Sequence, residues 1–330
     1  MTPGTFATIF AVALALTLGV RLWLAHRQIE FVGVHRDRVP GAFADRIPLQ
    51  AHQKAADYTV AKQKLGRLET IIDAALLVAL TLGGGLAWLV GITEGLDIAP
   101  IWRDVLLLAA VAALGAVVGL PFSWYQTFRI EERFGFNRTT LKLWLADLAK
   151  GLALGIALGL PLLLAVLWLM ARAGALWWIW VWLVFFAFQL LMLLLYPTFI
   201  APLFNKFSPL PEGPSRERVE RLLARCGFQS RGLFVMDGSK RSGHGNAYFT
   251  GFGKSKRVVF FDTLLARLAP EEIEAVLAHE LGHFKLRHVV KRIVWSAIAS
   301  LAFLALLAWL LTQPWFFAGL GIPRDLLPAA

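Results

Sequence analysis

Cysteine is nearly missing from this chain: Cys226 stands alone among 330 residues. One thiol can neither close an internal disulfide nor build a cysteine-based zinc site. Its position on the apolar face of an expected short helix predicts a plain buried thiol. Charge is also scarce, at 17% of residues, where a soluble domain carries about 25%. Acidic residues are the scarcer sign, 22 against 33 Lys and Arg, which leaves a net charge of +11. Such an excess can mark nucleic-acid binding. Here the cations are spread over the flanks of hydrophobic runs, without aromatic interleaving or a nucleic-acid motif, so nucleic acid is excluded as a partner. Orientation in a bilayer accounts for the charge. Repeats and low-complexity tracts are lacking as well. The first apolar run has no basic stretch before it and no small-x-small cleavage site after it, so it reads as a retained helix.

Hydrophobic residues, by contrast, make up 58% of the chain. Six apolar runs reach the roughly 20 residues that a membrane crossing needs: 6–25, 71–91, 105–122, 151–170, 175–196 and 293–312. Pro121 closes the third and Pro161 kinks the fourth. Trp177, Trp178, Trp180 and Trp182 form an interfacial belt on the fifth. Gly83, Gly84 and Gly85 permit close helix packing or flexibility in the second. The expected fold is therefore mainly α, a polytopic transmembrane helical bundle. Its parts are an N-terminal membrane domain over 1–196, a polar domain over 197–291, and a sixth span with a loop-like tail over 292–330.

Lys and Arg counts give the orientation. The stretch 27–70 holds eight, 122–150 five and 197–291 fifteen, while each intervening loop holds one, Arg103, Arg172 or Arg324. By the positive-inside rule the N-terminus lies outside, and the basic loops with the polar domain are cytoplasmic.

Within the polar domain, Ser215 caps a helix that runs to Cys226 and stops at Gly227. Three strand-like runs follow, 232–236, 246–250 and 257–261, separated by Gly/Ser-rich pieces at 237–245 and 251–255. Pro270 then starts a helix with Glu271, Glu272 and Glu274 at its positive end. On it lies His279-Glu280-Leu281-Gly282-His283, read as H-E-x-x-H. Four residues apart, both imidazoles leave one face of the helix. Together they can grip one Zn²⁺ at about 2.0–2.1 Å. Glu280 is placed to take a proton from metal-bound water. The bland alternative is two hydrogen-bonded histidines beside a surface glutamate. Mid-helix Gly282 points to a close backbone approach or to packing alone. His288 lies about 500° around the helix from His283 and so points off the metal face. His244 reads as structural. A substrate peptide needs an extended partner, which an exposed strand edge can offer. Asn246, Ala247, Tyr248 and Phe249 are the candidate edge, with small Ala247 leaving room. An ordinary hairpin strand is the alternative.

A catalytic zinc also needs a third protein ligand. No glutamate follows Glu280, and Asp325 is the only carboxylate beyond it. Glu274 cannot fold back onto the metal. Either the third ligand, a glutamate, lies beyond Ala330, or the site is defective as it stands; the first is the expectation.

Three stretches carry a family resemblance. They are Ile130-Glu131-Glu132-Arg133-Phe134-Gly135-Phe136-Asn137 with Thr139 or Thr140; the run from Gly238 through His244-Gly245-Asn246-Ala247-Tyr248-Phe249 on to Lys256 and Leu265; and His279 to His288. With the order of spans, they make the chain similar to the type I CAAX prenyl endopeptidases, membrane zinc metalloproteases of the sterile-24 type. The resemblance implies one Zn²⁺ held by His279 and His283, with Glu280 as the catalytic carboxylate. It also implies a zincin-like α+β domain before the sixth span, and a cleft lined by Asn246, Ala247, Tyr248 and Phe249. Seven spans around a chamber are implied, the seventh and the third ligand lying past this sequence. The implied reaction removes three residues after a prenylated cysteine, with peptide substrate and lipid bilayer as partners. An HtpX-like quality-control protease acting on unprenylated substrates is a second reading. A non-catalytic membrane scaffold is a third. The Ala/Leu/Arg-rich composition points to a bacterial inner membrane.

Overall fold

This computed structural model describes residues 1–228, 232–250 and 257–322. The Gly/Ser-rich piece 251–255 and the tail past Ile322 lie outside the described residues. The chain divides into two compact units, Met1–Gly135 with Leu307–Ala330, and Phe136–Leu306.

In the first unit, α1 (Pro3–Val34) and α2 (Leu49–Leu80) lie side by side. A bidentate pair from Arg36 to Asp57, at 2.8 and 2.9 Å, joins the end of α1 to the start of α2. α3 (Gly85–Glu94) follows a break in which Gly84 adopts φ 77°. α2 and α3 together are apolar enough to cross a membrane, but they bend by 53° at that break. The expected second span is thus a bent pair. Glycine is what the break requires: a Cβ on Gly83 or Gly85 would stand 2.8 Å from the Ala79 carbonyl.

α4 (Pro100–Tyr125) runs through Pro121 instead of stopping there. It continues as a π-helical turn over Gln126–Glu131. Glu131 on that turn accepts a hydrogen bond from the Tyr58 hydroxyl at 2.6 Å. The tail is not all loop: α12 (Pro314–Gly319) packs against α1, with Phe6 5.1 Å from the Trp315 ring.

In the second unit, α5 (Leu141–Arg172) starts on a Thr140 cap that accepts from the Leu143 amide at 3.2 Å. α6 (Trp177–Leu195) pairs with α11 (His288–Leu311), and both are long enough to span. Trp182 of the expected belt also ties two spans together. Its indole donates to the Ala297 carbonyl at 3.0 Å and to Ser300 at 3.1 Å, binding α6 to α11. Among the described residues, five helices are long and apolar enough to cross a membrane, or six with the bent pair as one. Their large apolar side chains stay exposed, Trp168, Trp295 and Phe303 among them, as lipid-facing surface requires.

Between α6 and α11 the chain builds a small α+β body. It holds a short α7 (Ala201–Phe204), β1 (Phe207–Pro209), α8 (Pro214–Arg225), β2 (Leu233–Met236), β3 (Ala247–Thr250), β4 (Arg257–Phe261), a short α9 (Asp262–Leu265) and α10 (Pro270–Lys285). The sheet order is β1-β2-β4-β3, with β2 and β4 parallel and the other pairs antiparallel. α8 and α10 cover one face. Val219, Leu223, Phe260, Ile273 and Leu277 form the centre of the core. α8 is capped by Gly213, with Pro214 at its first turn, and not by Ser215. Cys226 is exposed, not buried. It falls on the C-cap, past the last turn that shares the Val219–Leu223 face, and Phe228 fills the core place instead.

Candidate functional site

The site is built on α10. Pro270 opens the helix, and the Glu272 carboxylate accepts from the Ala269 amide at 2.9 Å, so one free donor of the first turn is satisfied. Arg218 of α8 bonds Glu271 and Glu274 from the side. Ile273, Leu277 and Leu281 recur every four residues and are buried, at 1%, 0% and 5% exposure. That stripe faces the sheet, so the opposite face is turned outward. His279 and His283 are exposed there, and Glu280 is half-buried. Gly282 meets nothing within 4 Å of an added Cβ. The close backbone approach considered for it is therefore absent among the described residues.

The two imidazoles converge: His279 Nε2 and His283 Nε2 are 3.2 Å apart. Two nitrogens bound to one tetrahedral zinc at about 2.0–2.1 Å each would be separated by about 3.3–3.4 Å. The pair therefore fits a shared zinc ion with little adjustment. Among the described residues no group of three His, Cys, Asp or Glu forms a cation site, so the pair supplies two ligands.

Beyond Lys285 the helix does not run on into the last span. Arg287 takes φ 55°, the one non-glycine with positive φ among the described residues. Such a conformation costs an L-residue about 1–2 kcal/mol. It turns α11 so that the His288 ring reaches His283, with Nδ1···Nδ1 at 2.7 Å. An unbroken helix through α10 and α11 would carry His288 away from this face, and the turn at Arg287 brings it back. No glycine, proline or asparagine marks the turn in the sequence, so the signal for it was missing. A cleft of about 710 Å³ opens beside these rings, bounded by His283, His288 and Arg292 on one side and Gln189, Leu190 and Leu193 of α6 on the other.

β3 is a sheet edge, paired only with β4 among the described strands, and α10 packs against it. The Phe261 amide donates to the Asn246 carbonyl at 2.9 Å. With Tyr248 opposite Val259, antiparallel alternation turns the N–H and C=O of Ala247 and Phe249 toward the free edge. The Asn246 side-chain oxygen already accepts the Ala247 amide at 2.9 Å. Ala247 is 7% exposed and belongs to the core, so its small size serves inward packing. Phe249 meets Phe228 in a tilted contact, ring centroids 5.0 Å apart. Tyr248 points to the other face, beside Pro197 and Pro202. Burial pushes its phenol above the usual range, and nearby Tyr196 adds to this.

The loop leading to β3 is fastened to the segment before α5. The Gly243 amide donates to the Phe136 carbonyl at 2.8 Å, and the Arg138 amide to the Arg241 carbonyl at 3.1 Å. His244 stacks on Phe136 with centroids 4.1 Å apart, a structural role. Arg241 forks onto Asp147 at 2.7 and 2.8 Å and donates to Asn205 at 2.9 Å. The Asn137 side chain accepts the Thr139 amide at 2.8 Å, and Thr139 Oγ1 donates to the Arg241 carbonyl at 3.0 Å. Arg241→Leu is expected to lower stability by about 1.5–3 kcal/mol, the worth of charged hydrogen bonds left unmade. Thermal unfolding in detergent measures it, and an unchanged midpoint would show the clamp to be idle.

Residues 28–206 match the CAAX prenyl protease N-terminal family, described as five membrane helices. Residues 209–318, with the paired histidines, match peptidase family M48. The chain belongs to the CAAX prenyl protease family of M48 peptidases. A rice (Oryza sativa) CAAX prenyl protease 1 homolog is 46% identical over 198 residues, covering 60% of this chain and 46% of the relative. The Saccharomyces cerevisiae CAAX prenyl protease 1 is 38% identical over 227 residues, 68% of this chain and 50% of that one. The chain thus spans about half the length of the curated relatives it matches. The crystal structure of S. mikatae Ste24p superposes with a TM-score of 0.85 at 31% identity, over 96% of this chain and 74% of that one. Family membership and the shared membrane fold agree with the order of spans and the placement of the small sheet.

Proposed function

We propose that this protein is a membrane zinc metalloendopeptidase cutting peptide bonds near the C-terminus of CAAX-type substrates. The observation that carries the reading is the pair of Nε2 atoms at 3.2 Å on α10, with Glu280 next to the first. His279 and His283 would hold the zinc. Zinc bound there would supply Lewis acidity for the scissile carbonyl and for water at neutral pH. Glu280 takes the proton of the attacking water and hands it to the departing amine. The free edge of β3 receives the substrate as a further strand. Ala247 and Phe249 offer their backbone groups, and Asn246 exchanges its intramolecular bond for one to the peptide. Tyr248 buttresses the strand from behind.

The charge asymmetry, eight and five basic residues in two loops against one each in the short loops between them, puts the N-terminus outside and α10 at the cytoplasmic side. The bilayer then delivers substrates that carry their own lipid.

A farnesylated C-terminal peptide and its unmodified counterpart test this with the full-length protein in detergent. The expected result is release of a C-terminal tripeptide from the farnesylated form only. Equal cutting of both would favour the quality-control reading. Cleavage of neither by zinc-loaded protein would leave a scaffold.

A further inference from the structure

We propose that His288 is a positioning residue, which fixes the tautomer and ring orientation of His283 and so prepares it as a metal ligand. The proposal rests on the metal reading above. The His283 ring is engaged at both nitrogens: Nε2 faces His279 Nε2 at 3.2 Å, and Nδ1 faces His288 Nδ1 at 2.7 Å. At 2.7 Å one of the two Nδ1 atoms must carry a hydrogen and the other a lone pair. A ligating Nε2 must present its own lone pair, so in neutral His283 the hydrogen sits on Nδ1. His283 Nδ1 therefore donates and His288 Nδ1 accepts. His288 touches the ring on the side away from His279, so it does not join the same ion through that atom. The rings lie 5.0 Å apart at 59°, an in-line contact at the nitrogens and not a stack.

The backbone is arranged for this contact. Five residues of unbroken helix would rotate His288 about 140° off the His283 face. The left-handed Arg287 and the restart of the helix at His288 bring the ring back. A histidine ligand commonly gives its second N–H to an acceptor of this kind, and loss of that acceptor typically weakens metal binding 10–100-fold.

The test is zinc affinity of the full chain in detergent, read by competition with a chromogenic chelator. His288→Phe keeps a ring and removes the acceptor. His288→Ala removes the acceptor without adding bulk, should the larger ring disturb packing. His288→Asn places a carbonyl oxygen where Nδ1 was. Expected are a loss of about 10–100-fold for His288→Phe and His288→Ala, and recovery of most of it by His288→Asn. The d–d absorption of the Co²⁺-loaded protein should shift in the first two variants and return in the third. Parental affinity in His288→Phe and His288→Ala would overturn the proposal. So would an Asn variant as weak as those two, since His288 would then be a ligand or a packing group. A parent chain that binds no zinc would sink the metal reading first, and this inference with it.

Discussion

Glu280→Gln is expected to lower kcat by about 10²–10⁴-fold, the range that a positioned general base contributes. Glutamine keeps the size and shape of the side chain but cannot take up the proton. Among the described residues the Glu280 carboxylate makes no side-chain hydrogen bond, so its replacement breaks no contact that holds α10. Glu280 is half-buried, so part of its side chain remains open to solvent. Zinc content should stay near the parental value, because the two imidazoles are untouched. Turnover of the peptide substrate and metal analysis of the same preparation settle the matter together. Full activity in the variant would remove Glu280 from the mechanism. Loss of metal along with activity would instead mean that it holds the site together.

Leu277→Ala should have the largest effect on stability, about 2–5 kcal/mol. Leu277 is fully buried, at 0% exposure, between Ile273 and Leu281. Its neighbours in the core come from α8 and the sheet, so removing three carbons opens a cavity that rigid strands cannot close. Domains of this kind hold only about 5–15 kcal/mol in total, so much of the margin is lost. The same stripe orients α10, and looser packing should also widen the spread of the His279–His283 distance and weaken zinc binding. Leu277→Met, nearly equal in volume, should cost less than about 1.5 kcal/mol. Chemical unfolding of both variants in detergent makes the comparison. Equal midpoints would show that the core does not hold the metal helix.

Much of this chain is local in origin and could be read from order alone. The spans follow from runs of apolar residues, because lipid forces every backbone polar group into its own helix. β2, β3 and β4 lie almost where runs of Val, Phe and Tyr bounded by glycine and serine put them. β1 carries no such signal: it is three residues ending in Pro209, too short to show a period. The H-E-x-x-H spacing carries its own geometry, since i and i+4 share a helical face. The bend after Leu80 had a visible cause in three consecutive glycines, though they fit tight packing equally well before the structure was known.

Other features depend on residues that are distant in sequence, or on a backbone choice with no marker. The parallel pairing of β2 with β4 makes β3 an edge, and strand order is a property of the assembled sheet. Arg241 reads as one more surface cation until Asp147 and Asn205 are brought to it. Cys226 shares the spacing of its apolar neighbours, yet lies one turn too late to be covered. His288 is the sharpest case. A helical wheel turns it away from the metal face, and a single left-handed residue, Arg287, turns it back. Periodicity fixes direction only while the helix stays unbroken. Where it breaks, the energy of the whole packed domain selects the conformation, and no single side chain announces it.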